Sequence, residues 1–146
     1  MTVNANTAAT ATVTDFGKDT SCTTAILSGR FSTGTRLVGE ACYRRLTTPR
    51  GMLQGGQDEQ NYGLDLSQMC GAVVTASDAA AMPGQIQAEL LKDERIESVT
   101  ATVVSIVVNK IASWTITIDG DTALGPFSLV LGVSGVTVDL LGLTGS

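Results

Sequence analysis

The sequence predicts an α+β fold, in which short helices precede a small, mainly antiparallel sheet. Within residues 35–93, apolar side chains recur three and four positions apart, which is the spacing of amphipathic helices. From residue 98 onward, apolar and polar residues alternate and β-branched residues predominate. Helices that precede the strands, rather than alternate with them, favour separate layers over a parallel α/β sheet.

The first helix is predicted over residues 35–46. Thr33 or Thr35 can accept a hydrogen bond from an unpaired N–H at its start. Pro49 should end it, because a proline disfavours the α conformation in the residue before it. The apolar stripe that would face the core consists of Leu37, Val38, Ala41 and Cys42.

Two further helices are predicted before the sheet. The second covers residues 64–73, with Asp65 in its first turn, where a negative charge is favourable. Its apolar face consists of Leu66, Met69, Cys70 and Val73. The third begins at Pro83, since proline is tolerated at the first helical position, and ends near residue 93. Its apolar face consists of Met82, Ile86 and Leu90.

Four strands are predicted to form the sheet. Residues 98–110 and 113–122 alternate clearly, and two more strands follow within residues 127–141 around a Ser134-Gly135 turn. Residues 15–31 are interpreted as a loop or short strand, including an apolar piece at residues 25–27. The Thr/Ala-rich residues 1–14 are expected to form a flexible or partner-ordered arm, and residues 15–146 a single domain.

Composition narrows the classes of partner. The formal net charge of −5 argues against nucleic-acid or anionic-membrane binding, which needs a clustered basic face. No signal peptide is predicted, and the apolar C-terminal window is expected to form strands rather than a membrane span. Charged residues make up 16% of the chain, against an average near ~25%. This low fraction hints at a surface that partners cover.

The residue types also limit the chemistry. The chain contains no histidine, so Ser-His and Cys-His catalysis and histidine metal ligation are excluded. Three widely spaced cysteines, Cys22, Cys42 and Cys70, favour free buried thiols over a disulfide framework or a zinc site. Neither a metal site nor a cofactor is predicted.

Acidic residues offer only a weak case for a glycosidase. Such an enzyme needs two carboxylates at a set separation across a cleft. The candidates are the pairs Asp58/Glu59 and Asp93/Glu94, and Glu40 with any partner. Solvated surface charge is the simpler interpretation of each, and no nucleophile stands out. We therefore expect a protein that is not an enzyme.

Several short motifs follow one another in a characteristic order. "DFGKD" at residues 15–19 precedes a helix that ends in "RRLTTPRG" at residues 44–51. "NYGLDL" at residues 61–66 and "IQAELLKDERI" at residues 86–96 come next, and alternating strands follow. This order resembles the baseplate wedge, or sheath-initiator, family of contractile-tailed bacteriophages and related contractile injection systems.

The resemblance implies a structural role and a set of contact residues. It implies a fold similar to the C-terminal domain of the sheath protein, on which the first sheath ring docks by strand addition. Its wedge-contact motif corresponds to Asp93, Glu94 and Arg95, with Glu94 where the family has proline. The residues implied to shape a loop between neighbouring subunits are Arg50, Gly51, Tyr62 and Gly63.

The expected partners are baseplate wedge proteins and the tail sheath protein, with tail tube or hub proteins as further candidates. The expected location is the baseplate of the virion tail, after assembly in the host cytoplasm. Two alternatives remain open. One is a tail tube or neck completion protein, and the other is a baseplate-associated glycosidase.

Overall fold

The computed structural model describes residues 15–20, 31–70, 76–108, 111–134 and 138–145. Its elements are, in chain order, β1 (Lys18–Thr20), β2 (Phe31–Thr33), α1 (Gly34–Thr47), α2 (Gln57–Gln60), a 3₁₀ turn (Leu66–Met69), α3 (Ala76–Leu90), β3 (Ile96–Val108), β4 (Ile111–Thr122), β5 (Gly125–Val133) and β6 (Val138–Thr144). The predicted α+β class is confirmed, with a short β1–β2 ribbon added before the helices. The arm predicted over residues 1–14 and the apolar piece at residues 25–27 lie outside the described residues.

The four later strands form one antiparallel sheet, and their order across the sheet is their order in the chain. β3 and β4 correspond to the strands predicted at residues 98–110 and 113–122, and β5 and β6 to the two predicted within residues 127–141. Both long strands are rich in valine, isoleucine and threonine, which suit a pleated, half-buried surface. Gly135 of the predicted turn lies outside the described residues.

Helices cover one face of this sheet and form the core with it. α3 packs on β3, while α1 packs on β5 and β6. The sheet residues under the helices form cross-strand rows, two of which are Ala101, Ile118, Leu129 and Val103, Ile116, Leu131. Burying one large aliphatic side chain contributes about 1.5–3 kcal/mol, so these rows hold the helices in place.

Helix α1 matches its prediction closely at both ends. It begins at Gly34 and ends at Thr47, and Thr48 before Pro49 is extended, as expected. Thr33 occupies the N-cap position, but its side chain makes no capping hydrogen bond, so the predicted cap by Thr33 is wrong. Three of the four predicted stripe residues are buried, namely Leu37, Val38 and Cys42.

Helix α3 starts well before the predicted residue, and Pro83 lies inside it. An internal proline removes one main-chain hydrogen bond and costs about 3 kcal/mol. The alanines of the first turns favour the helix, and packing of its apolar face outweighs the cost of the proline. That face is formed, as predicted, by the buried residues Met82, Ile86 and Leu90.

The second predicted helix is replaced, within the described residues, by the single 3₁₀ turn Leu66–Met69. Asp65 is its N-cap rather than a residue of the first turn, and its carboxylate accepts a hydrogen bond from Ser67 N–H at 3.0 Å. Cys70 is extended and ends the turn. Residues 71–75 of the predicted helix lie outside the described residues.

Candidate functional site

The carboxylate of Glu89, near the end of α3, lies in the protein interior, and only 2% of the residue is exposed. Oε1 accepts hydrogen bonds from Gly63 N–H at 2.8 Å and from Arg45 Nη1 at 3.3 Å. Oε2 accepts from Lys92 Nζ at 2.7 Å and from Arg50 Nη2 at 2.9 Å. Each oxygen therefore has two donors, and we call these five residues the Glu89 cluster.

The donors keep Glu89 ionised. Burial by itself raises the pKa of the carboxyl, but hydrogen bonds from Lys92, Gly63 N–H and Arg45 outweigh burial, and the pKa lies below the ordinary value of 4.5. A hydrogen bond to a charged group contributes about 1.5–3 kcal/mol. Several such bonds offset the cost of removing the carboxylate from water.

The cluster closes the loop that joins α1 to the 3₁₀ turn. Arg50 Nε donates to the carbonyl oxygen of Gly63 at 3.1 Å, so the two ends of the loop are tied to each other. Lys92 Nζ also donates to Asn61 O at 2.9 Å. The polar loop, in which the sequence shows no catalytic motif, is thus held by hydrogen bonds to Glu89 near the end of α3 and from Lys92 just after it.

The two loop glycines meet different surroundings. Gly63 has a φ of +108°, and a Cβ built on it would lie 2.2 Å from the carbonyl oxygen of Thr48. Gly51 has a φ of +86°, but a Cβ there would meet no atom within 4 Å. Both positions favour glycine through their backbone angle. Only Gly63 also requires glycine for close main-chain approach.

Tyr62 is half-buried beside the cluster. The guanidinium carbon of Arg45 lies 4.2 Å from the centre of the Tyr62 ring, which is the geometry of a cation–π contact. Burial raises the pKa of the Tyr62 hydroxyl, although Arg45 and Arg44 act in the opposite direction. Three of the four predicted loop residues, Arg50, Tyr62 and Gly63, therefore lie at the Glu89 cluster, whereas Gly51 does not.

The three residues of the predicted wedge-contact motif divide into an internal pair and an exposed acid. Asp93 Oδ1 accepts from Arg95 N–H at 3.0 Å and from Nε at 2.9 Å, and Oδ2 accepts from Nη2 at 2.6 Å. Burial raises the pKa of Asp93, but the bonds from Arg95 outweigh it and lower the pKa. Glu94 is exposed and forms no ion pair with any described residue.

A groove of about 550 Å³ separates the loop from the segment that follows α3. Leu53 and Tyr62 line it from the loop, and Lys92 lines the other side. Its carboxylates are Asp58, Glu59 and Glu94. The groove is open to solvent and combines an aliphatic chain, an aromatic ring and acidic groups.

The acidic residues considered for glycosidase chemistry do not share one environment. Asp58 and Glu59 are exposed on α2. Glu40 is only 1% exposed and pairs with Arg36 Nε at 3.3 Å, so the expectation of a solvated Glu40 is wrong. An arginine one turn earlier on α1 compensates its charge, which the sequence spacing could have indicated.

The two described cysteines are not joined in a disulfide. Cys42 is buried, as predicted, and burial raises the pKa of its thiol to about 12. Cys70 is only half-buried, which differs from the expectation of buried thiols. Cys22 lies outside the described residues. An un-ionised thiol is a poor nucleophile, so Cys42 belongs to the core.

Sequence reasoning missed Glu89, the centre of the cluster. Its signal was present in the helical spacing, because Glu89 follows Met82 and Ile86 on the apolar face of α3. An acidic residue on such a face must find cationic partners when the helix packs. Lys92, three residues later, could have been read from the spacing. Arg45, Arg50 and Gly63 are distant in the sequence, and spacing does not indicate their convergence on Glu89.

The two outer strands of the described sheet, β3 and β6, differ in regularity. β6 has seven residues, and a register shift leaves Leu141 as an extra residue. Short length and bulges discourage further pairing at a sheet edge. β3 has 13 residues, its register is continuous over residues 98–108, and none of these residues is charged.

Alternate main-chain groups of β3 point away from β4. Ala101 N–H is one of them, since it donates to Oε1 of Gln87 on α3 at 3.2 Å. In an antiparallel ladder this direction alternates, so Val103, Ser105 and Val107 also direct their N–H and C=O groups outward. Among the described residues, no strand pairs with this side. We call residues 103–107 of β3 the open edge.

The open edge leads into a hairpin tip that extends beyond β5. Trp114 and Val133 form the last β4–β5 pair, so within the described residues the segments 106–108 and 111–113 pair only with each other. Exposed aliphatic side chains of the tip include Ile106 at 48% and Val107 at 70%, and Val104 of the open edge beside the tip is 52% exposed. Because successive residues face opposite sides of a strand, both faces of the tip expose apolar surface.

Within the described residues, no helix has the length and apolar character needed to cross a membrane, and no group of three potential metal ligands occurs. Comparison with known protein families, curated proteins and solved structures finds no match.

Proposed function

We propose that this chain is a structural subunit of a contractile-tail baseplate, which joins the wedge to the sheath. The order of the motifs at residues 15–19, 44–51, 61–66 and 86–96 supports membership of the sheath-initiator family. The observation that carries the proposed activity is the open edge of β3. A partner strand would add to it by main-chain hydrogen bonding and so begin the first sheath ring.

The chemistry of the open edge favours such a partner. Natural edges that remain exposed usually carry charges, prolines or bulges that prevent pairing. Residues 98–108 have no charge, proline or register shift. An added strand would satisfy the outward main-chain groups and cover the aliphatic side chains of the hairpin tip. Removal of this apolar surface from water favours the complex by about 25 cal/mol per Å².

The position of the open edge suits a connecting subunit. The Asp93–Arg95 segment lies immediately before β3, and the hairpin tip lies at the other end of the same strand. Twelve steps of strand from Ile96 to Val108 span roughly 40 Å. A wedge protein bound near the start of β3 and a sheath strand bound near its end would not compete for the same surface.

Proline substitutions can test the open edge with a matched control. Ser105→Pro removes an outward N–H but no bond of the β3–β4 ladder, so the fold should persist. Leu141→Pro places the same residue at the bulge of the other outer strand. Both variants would be checked for folding by urea denaturation, and sheath length on purified tails would be measured by electron microscopy.

The proposal expects unsheathed tails with Ser105→Pro and normal sheaths with Leu141→Pro. Normal sheaths on tails that contain folded Ser105→Pro would refute pairing at β3. Loss of sheaths with Leu141→Pro alone would indicate that the sheath strand pairs with β6 instead. Gold labelling of a C-terminal tag tests the location separately. A label at the baseplate end supports the proposal, whereas a label at the neck would favour a neck completion protein.

A further inference from the structure

The groove between the loop and the end of α3 has a fixed wall. Tyr62 is held against Arg45, and the loop backbone is tied to Glu89 through Gly63 and to Lys92 through Asn61. A wall fixed before binding reduces the entropy lost when a partner binds. The groove volume of about 550 Å³ is within the usual range for binding sites.

The charges in the groove are unequally compensated. Its cations, Arg45 and Lys92, already pair with Glu89. Its carboxylates, Asp58, Glu59 and Glu94, form no ion pair among the described residues. Glu89 supplies one negative charge to three cations, so it does not cancel them all. The lining residues carry three carboxylates against two cations, a net charge of −1, beside the apolar surface of Leu53 and Tyr62.

We propose that the groove binds a lysine or arginine side chain that a partner protein presents next to an apolar residue. The cationic group pairs with Glu94 and the carboxylates of α2, and the apolar residue packs on Leu53 and Tyr62. Electrostatic complementarity of this kind selects the partner and sets its orientation.

This assignment changes which residue of the Asp93–Arg95 segment makes the contact. The Arg95 guanidinium binds Asp93 through Nε and Nη2, so the opposite charges of these two residues already compensate each other. Glu94, where the resembling family has proline, is the group that faces the groove. The inference rests on the proposed function only for the identity of the partner, and its binding test needs no tail.

Two short peptides test the charge requirement on the full-length chain. The probes are N-acetyl-Leu-Arg-Leu amide and the same peptide with neutral citrulline in place of arginine. Binding would be followed by nitrogen–proton NMR spectra at low and high salt. We expect the arginine peptide to shift the amide signals of Leu53, Tyr62 and Glu94, and the citrulline peptide to bind several-fold more weakly.

Variants of exposed acids supply the second measurement. Glu94→Gln should weaken binding of the arginine peptide roughly twofold to fivefold, the range for one exposed ion pair. Glu97→Gln, an exposed acid outside the groove, should leave binding unchanged. Equal binding of both peptides, shifts that map elsewhere, no shifts at millimolar peptide, or unchanged binding by Glu94→Gln would each overturn the inference.

The outcome is separable from that of the sheath proposal. If the arginine peptide does not bind but tails with Ser105→Pro lack sheaths, only the groove inference is rejected. If the arginine peptide binds but tails with Ser105→Pro have normal sheaths, the proposal that a sheath strand pairs with β3 is rejected and the groove inference is kept.

Discussion

The two ends of β3 depart in opposite ways from the usual distribution of side chains. Before its start in the chain, the Glu89 cluster buries a carboxylate and pairs it with cations from three segments. At its far end, the open edge and the hairpin tip expose Val104, Ile106 and Val107. Burial of charge and exposure of aliphatic surface are each unfavourable unless a partner compensates. The charge has its partners within the chain, and the tip has none among the described residues.

The comparison predicts that the Glu89 cluster contributes to the stability of the fold and that the hairpin tip contributes to assembly. Directional hydrogen bonds to Glu89 select one geometry for the loop, which nonspecific apolar packing would not do. The exposed side chains of the hairpin tip have little intramolecular packing to lose, and in the proposed function a partner strand would constrain them. Substitutions in the Glu89 cluster should therefore change the free energy of unfolding, while those at the tip should change assembly alone.

The largest expected effect comes from Glu89→Ala. The substitution leaves Arg45, Arg50 and Lys92 without their common acceptor, and the Gly63 N–H is buried without a partner. Arg50 and Lys92 are exposed enough to be solvated, whereas Arg45 and the Gly63 N–H are not. A buried donor left without an acceptor costs about 1–3 kcal/mol, so the two together should cost about 2–6 kcal/mol. Urea denaturation followed by circular dichroism would measure the loss.

Two controls sharpen this test. Glu97→Ala removes an exposed acid and should change the unfolding free energy by no more than about 0.5 kcal/mol. Glu89→Gln keeps an acceptor for Gly63 N–H but loses the charge, so its cost should lie between the two. Similar unfolding free energies for Glu89→Ala and Glu97→Ala would show that the cluster does not hold the loop.

The next effect concerns the loop that the cluster holds. Gly63→Ala combines a φ of +108° with a Cβ placed 2.2 Å from Thr48 O, and we expect it to cost about 3 kcal/mol. Gly51→Ala has a similarly positive φ but open space, and should cost about 1 kcal/mol. Thermal and urea unfolding of the two variants would compare them. Equal losses would mean that the close approach to Thr48 relaxes easily.

Much of the fold followed from local pattern, whereas the site depended on contacts between distant segments. α1 and the strands were predictable because Pro49 and the alternation from residue 98 act locally. α3 was predicted too short because packing overrode the proline signal at Pro83. Arg50, Tyr62 and Gly63 were singled out by family resemblance. Glu89, which binds two of them, was not.

The pH dependence of stability should also distinguish the two ends. The pKa of Glu89 is lower in the folded chain than its ordinary value of 4.5, so the folded state binds this proton less readily than the unfolded state. The stabilisation is fully present above about pH 4.5 and is lost as the pH falls through the folded-state pKa. The lowered pKa of Asp93 acts in the same direction, from its ordinary value of 3.8 downward.

Urea denaturation at about pH 6 and about pH 3 would therefore show a loss of stability in acid. Glu89→Gln should reduce this loss, because the amide does not titrate in this range, whereas Val107→Thr at the hairpin tip should leave it unchanged. An identical acid dependence in Glu89→Gln would place the titration elsewhere, with Asp93 the next residue to substitute.

The smallest effect is expected from Val107→Thr, and its matched partner is Val99→Thr. Both valines lie on β3 and face the same side, but Val99 is 8% exposed and Val107 is 70% exposed. Threonine has the shape of valine, so the exchange mainly adds a hydroxyl. Burying that hydroxyl at residue 99 should cost about 1–3 kcal/mol. At residue 107 the change should stay within about 0.5 kcal/mol. A comparable loss at both positions would mean that the hairpin tip is packed in solution, which would remove the main reason for expecting a partner there.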